Sequence, residues 1–266
     1  MEKKYEMTDE TINVDGKILH RIRALRNFGD VEKGNLGGYI EKEDNLSHED
    51  DCWVDGDAKV LESATIFDNA KIFDGACISG NATVCDDAQV YDKAQVYGNA
   101  KVYDNSRIYG SAQVYDDARV YDDARVYDDA HVYDDARVYD DAHVYDDAVI
   151  YVNAKVCGDA KVYGKARIYH DAVISEHARV YDNAEVFDNA TISHVASACD
   201  NARIFGKAKV GGCAEIYDGA HVSEKAKVGG HAKISGNARV FGGAIVCENA
   251  EVTGNTKVSG NDTVLR

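Results

Sequence analysis

The chain has no proline, and only two methionines and one tryptophan, in 266 residues. Without proline, no position is barred from donating a backbone N–H to a sheet ladder, and no ring interrupts a strand. Positive charge is also scarce: 30 Lys and Arg face 47 Asp and Glu, a formal net charge of −17. Such a surface repels phosphate backbones and anionic lipid, so neither nucleic acid nor a membrane is expected as a partner. Nothing approaches the roughly 20 apolar residues that span a bilayer. Met1 to Thr11 is charged and lacks the apolar core of a secretory leader. The expected location is cytoplasmic. Of the seven cysteines, Cys77, Cys85, Cys157, Cys199, Cys213 and Cys247 lie within the repeats described next and never occupy adjacent coils in one column. Neither a disulfide ladder nor a zinc spacing is present.

What the chain does have is a frame. From Cys52 to Val264 an alanine, any residue, then Val or Ile recurs every six residues without insertion. Of the 36 aliphatic positions from Val54 to Val264, 35 are Val or Ile and only Ala198 departs; two residues earlier, 32 of 36 are Ala. A fixed short period is the mark of a solenoid. Six is far below the roughly 33 to 47 residues of helical repeats and fits a parallel β-helix, three hexads to a triangular coil. In Ala118-Arg119-Val120-Tyr121, strand alternation sends Ala and Val inward and Arg and Tyr outward. The next two residues turn the corner. The second of them, from Asp57 to Asn261, is Asn 12 times, Asp 10 times and Gly 3 times in 35, so it is expected to hold the left-handed backbone that these residues tolerate best.

With this spacing the sequence resembles the left-handed hexapeptide-repeat β-helix family, and the left hand is what the resemblance implies. The expected fold is all-β: a single-stranded parallel triangular β-helix of about 12 coils, its 36 hexads stacked at ~4.8 Å per strand into a rod roughly 58 Å long. Residues 1–51 lack the frame and read as an N-terminal β cap, needed to cover the open core and strand edges of a solenoid end. Residues 52–266 form the β-helix. The run Asn35-Leu36-Gly37-Gly38-Tyr39-Ile40, with Asp44-Asn45-Leu46-Ser47 and Asp51-Cys52-Trp53-Val54, is similar to the head of the YdcK-like bacterial proteins, which are commonly labelled acyltransferases.

Residues 114–147 are nearly perfect copies of Val-Tyr-Asp-Asp-Ala followed by Arg or His, with twelve Asp and three Arg. Identical units put identical residues on all three faces, whereas a catalytic site needs a constellation that occurs once, so this stretch reads as a spacer. Its tyrosines recur every 18 residues and are expected to stack on adjacent coils; an exposed aromatic stripe is also a candidate interface. A calcium site would need six to eight oxygens converging on one point, and no loop supplies them. Mimicry of DNA is the remote alternative: −17 over roughly 58 Å is half the charge density of the duplex.

The second half is less monotonous. On the face carrying Val156, Ile174, Ile192, Val210 and Val228, the outward aromatic gives way to Cys157, Ser175, Ser193, Gly211 and Gly229. The adjoining corner gains Asp159, Glu176-His177, His194-Val195, Gly212-Cys213 and Gly230-His231. Eighteen-residue columns set Asp159 beside His177, Glu176 beside His194 and Cys213 beside His231. A carboxylate beside an imidazole raises its basicity and fixes its tautomer, as a general base requires. Val195 is expected to place a branched side chain at a left-handed position, and Ala198 thins the core; local rule-breaking concentrates at functional or strained sites.

Two functions stand open. One is a structural or interaction scaffold whose partner is another protein, or a second copy of the chain, along a β-helix face. The other is the acyl-CoA-dependent acyltransfer that the resemblance implies, performed by a homotrimer with acetyl-CoA or another acyl-CoA as cofactor. Its base would be His194 or His177, oriented by Glu176 or Asp159. The cofactor would lie along Ser175, Ser193, Gly211 and Gly229 with Lys209 and Lys227 beside its phosphates. Against it, no hexad is interrupted by the extruded loop that shapes an acceptor site in many such enzymes.

Overall fold

A computed structural model describes residues 3–265. The chain divides into two compact units, Met1–Asp129 and Ala130–Arg266. Unit 1 opens with strand β1 (Tyr5–Val14), which turns at Asp15-Gly16 into the antiparallel β2 (Lys17–Ala24). Strand β3 (Leu36–Ile40) pairs antiparallel with β2 on one side and parallel with Lys59–Val60 on the other. Every later strand is a short rung, usually the two residues ending in the inward Val or Ile, and within each unit the rungs pair parallel with an 18-residue register, as in Lys101↔Arg119 and Val102↔Val120. In unit 1 the rungs build three sheets, whose aliphatic columns are Val60-Ile78-Val96-Val114, Val54-Ile72-Val90-Ile108-Val126 and Ile66-Val84-Val102-Val120. Unit 2 continues the pattern in its own columns, for example Val138-Val156-Ile174-Ile192-Val210-Val228-Val246-Val264. The fold is a parallel β-solenoid, and among the described residues the only helical segment is one 3-10 turn, Glu43–Asn45. No helix is long and apolar enough to cross a membrane.

The frame explains the core. Ala58, Val60, Ala118, Val120, Ala172 and Ile174 are each wholly buried, as are their counterparts along nearly every rung. Alanine lets the chain approach itself closely while Val or Ile fills the centre, each aliphatic side chain contributing about 2 kcal/mol of burial. Ala198 is also fully buried, with Val180 and Ile216 as its sheet neighbours, so that rung keeps its place with a smaller side chain. Stacking begins upstream of the hexad run: Ile40 stands opposite Val60 and Leu46 opposite Ile66, offsets of twenty residues rather than eighteen. The two extra residues sit in the loop before Cys52. Lys4 serves that loop from the cap: it is wholly buried, and its ammonium donates to the carbonyls of Glu49 (2.9 Å), Asp50 (3.3 Å) and Cys52 (2.9 Å).

The corners depart from the sequence expectation. The left-handed residue is the first of the two corner residues, not the second: every such position from Gly56 to Gly260 has φ near +60°, including fifteen Asp and thirteen Gly. The reason is a tight turn in which Ala118 N–H donates back to Tyr115 O at 3.3 Å, with only the first central residue at positive φ. Aspartate suits this position twice over, since it tolerates the backbone and its carboxylate reaches the next coil. Asp86 Oδ2 accepts Asp104 N–H at 3.3 Å, Asp92 Oδ2 accepts Gly110 N–H at 3.0 Å and Asp146 Oδ2 accepts Gly164 N–H at 3.0 Å. The Asn-rich second position makes side-chain ladders instead, as in Asn81 Nδ2 to Asn99 Oδ1 at 3.0 Å. Val195 therefore sits at an ordinary backbone position, and the branched residue that does adopt the left-handed form is Val152, at φ +59°.

Candidate functional site

The smooth face and its corner fall within unit 2. Flat rungs fix the outward direction of Ser193, Gly211 and Gly229, while the tight turns throw Glu176 and His194, at φ +59° and +61°, outward from the corner. His194 Nδ1 lies 3.0 Å from Ser193 Oγ and 3.5 Å from Glu176 Oε2. His177 Nδ1 lies 2.9 Å from Asp159 Oδ2. The 18-residue columns thus bring both predicted pairs together. Cys213 and His231 occupy the same corner on adjacent coils, where Cys213 N–H donates to Gly230 O at 2.7 Å, and both are exposed. Ser175 is half-buried on the same face, one rung from Ser193.

Below His194 a shallow hollow of about 430 Å³ runs along Ser193, Gly211 and Gly229, flanked by Lys209 and Lys227 and closed at one end by Ile245 and Cys247. Glycine makes the hollow. A Cβ on Gly211 would stand 3.4 Å from His194 Nδ1 and 3.5 Å from Ser193 Oγ, whereas one on Gly229 would meet nothing within 4 Å. The floor is the edge of the aliphatic core at Val210 and Val228.

Chemically, both partners of His194 lie on the same ring nitrogen. A relay that activates Ser193 would need the serine on one nitrogen and the carboxylate on the other, so this trio is not a nucleophilic triad. It can still orient the ring, since Nδ1–H donated to Ser193 or Glu176 leaves Nε2 as the unprotonated nitrogen. The imidazole is 63% exposed and its carboxylate partner 52%. Such exposure keeps the pair in a high-dielectric setting where charge coupling is weak. A third pair of the same type, His170 Nδ1 to Asp188 Oδ1 at 3.3 Å, stands on a different corner. Its residues stand at the same 18-residue spacing in the sequence. Histidine beside carboxylate is therefore a recurrent product of corner stacking.

Elsewhere, Asp68, Cys85 and Asp86 in unit 1 bring three potential metal-ligating atoms within 4.8 Å of one another. Burial, reinforced by Asp86 and its neighbouring carboxylates, pushes the Cys85 thiol up to about 12, so it holds its proton. Asp68 and Asp86 each already accept a backbone N–H from the following coil. This trio does structural work.

Aromatic ladders line the faces. In unit 1 Phe73, Tyr91, Tyr109 and Tyr127 stack at 4.8, 4.9 and 4.8 Å with interplanar angles of 4° or less. In unit 2 Tyr133, Tyr151, Tyr169, Phe187 and Phe205 form a five-ring ladder at 4.9–5.1 Å, and Tyr145, Tyr163 and Tyr181 a three-ring one.

Parallel rungs, an alanine-aliphatic hexad and triangular coils define a β-solenoid repeat protein. The family model described as the YdcK β-solenoid repeat matches residues 94–110, 112–128, 118–134 and 232–248, so these stretches of the solenoid are similar to that repeat. No curated protein matches it.

Proposed function

We propose that the protein is a scaffold, a solenoid that presents faces to a protein partner or to a second copy of itself and performs no reaction. The observation that supports this most is the use made of the corner groups: Asp86, Asp92, Asp140, Asp146, Asp188 and Asp200 each accept a backbone N–H of the next coil. Groups committed in this way hold coils together and do not converge on a substrate. The recurrence of exposed His–carboxylate pairs on two corners points the same way, because a catalytic constellation occurs once.

A second reading rests on the hollow beside His194. There a smooth glycine-lined groove, two lysines and an oriented imidazole lie together, the components that acyl transfer from acyl-CoA would need: a channel for the pantetheine arm, cations for phosphates, and a base. Titration with CoA and acetyl-CoA separates the readings. A ligand at 100 times its dissociation constant adds about 2.7 kcal/mol to stability. The scaffold reading expects no change in melting temperature and no acylation of amine or hydroxyl acceptors. A saturable shift that His194→Ala or Lys227→Ala reduces would replace it with the acyltransferase.

A further inference from the structure

We infer that unit 1 carries a binding site for a small organic cation, a primary ammonium or guanidinium on an apolar stem, where the cap meets the first rungs. The cavity there has a volume of about 380 Å³, the scale of small-ligand sites. Leu36, Trp53 and Phe73 are among its apolar lining, and aspartates dominate its polar lining.

The end of an aromatic ladder creates the recognition surface. Phe73 stacks one ring face on Tyr91 at 4.8 Å, and among the described residues it stacks on no other ring. One coil earlier, the equivalent outward position is not aromatic but Asp55, so the opposite side of the Phe73 ring borders the cavity. An aromatic face attracts cations through its quadrupole, and a carboxylate beside that face adds a charge-assisted hydrogen bond. Asp51 and Asp74 also line the cavity.

The charges there are unbalanced. The one cation in the lining, Lys71, pairs with Asp30 at 2.5 Å, and its hydrogen bond and charge hold the Asp30 carboxyl below the ordinary carboxylate range. Asp51, Asp55 and Asp74 form no ion pair among the described residues. Asp51 already feels the buried Lys4 ammonium, but Asp55 and Asp74, two carboxylates without a counter-cation beside an aromatic ring, favour an occupant that is positively charged at one end and apolar at the other. An inorganic ion would leave the aromatic surface unused, and an anion would be repelled.

Trp53 is the only tryptophan of the chain and lines this cavity, so its fluorescence reports occupancy directly. Phenethylammonium and butylguanidinium should each produce a saturable change in emission with a Kd below about 1 mM, whereas 3-phenylpropionate, which has an aromatic stem of similar size and a negative charge, should produce none. Asp55→Asn combined with Asp74→Asn should weaken both cations by about tenfold or more while circular dichroism and melting show an intact fold. Three results would overturn the site: no saturable response to either cation, the same response to potassium chloride at equal ionic strength, or unchanged affinity in the double variant.

Discussion

Asp134 Oδ2 accepts a hydrogen bond from the backbone N–H of Val152, 3.2 Å away. The contact repeats the carboxylate ladder that joins one coil to the next, but the donor is the one β-branched residue of the described chain held at positive φ. A left-handed backbone costs a residue with a Cβ roughly 1–2 kcal/mol, and branching makes the fit worse. Val152→Gly should therefore raise stability by about 1 kcal/mol, since the N–H and its acceptor remain. Chemical denaturation of the two proteins measures this, and a destabilised variant would mean that the side chain of Val152 packs more usefully than its half-exposed position implies.

Tyrosines of the ladders should make the protein sensitive to alkali. Burial raises the phenol pKa of Tyr91, Tyr97 and Tyr109 in unit 1 and of Tyr151, Tyr163 and Tyr169 in unit 2. A folded-state value above the unfolded value of about 10 means that the folded protein binds more protons once pH exceeds 10. Their contribution to stability is complete below that pH and is lost as pH rises through the folded values. The expected result is a midpoint of unfolding that falls steeply above about pH 10, with tyrosinate absorbance appearing together with loss of β circular dichroism. Tyrosinate that forms well before unfolding would show that the rings titrate as free phenols.

Removal of one whole coil should be tolerated where removal of a third of a coil is not. Deleting Lys155–Ala172 takes out 18 residues of unit 2, joins Ala154 to Val173 in frame and leaves Tyr151 facing Phe187 in the same column. Deleting only Lys155–Ala160 keeps the inward alternation but moves every later residue of the unit to a different face, which breaks the ladders and the Asp140 to Gly158 type of corner bond. Each lost corner bond costs about 1 kcal/mol. Melting of the first deletion should stay near that of the parent, and the second should melt lower and less cooperatively.

Lys4 should be among the most sensitive single positions outside the repeats. Its ammonium holds three carbonyls of the loop before Cys52 and lies 3.2 Å from Cys52 Sγ. Lys4→Met keeps the stem but leaves those carbonyls unpaired, an expected loss of about 3 kcal/mol or more. Urea denaturation checks it, and a loss within the ordinary surface range of about 0.5 kcal/mol would show that water replaces the ammonium.

Every rung from Val54 onward could be read in the sequence because burial in a solenoid is strictly periodic: the same alanine and aliphatic positions must face the axis in each coil. The tyrosine ladders and the Glu176–His194 and Asp159–His177 contacts follow from the same arithmetic of eighteen. The corner position is ambiguous from residue preference alone, because asparagine, which also tolerates a left-handed backbone, is concentrated at the second position. The stronger signal was glycine, with thirteen at the first position against three at the second, and glycine is the residue that a positive φ selects. The early coil at Ile40 and Leu46 was hidden by the two-residue insertion that Lys4 now fills, since a fixed period cannot see past a break in its own phase. The cavity at Trp53 and Phe73 had no local motif at all, as it joins side chains of the cap to those of the first coils.

The carboxylate ladder has a direction. Corner aspartates such as Asp92 and Asp146 serve the N–H of a residue synthesised 18 positions later, Gly110 and Gly164, so a completed coil already displays acceptors that its successor uses. The order in which a ribosome delivers the chain is thus the order in which these sites become occupied. Each coil is the mould for the next, and the protein is built to grow from its cap outward.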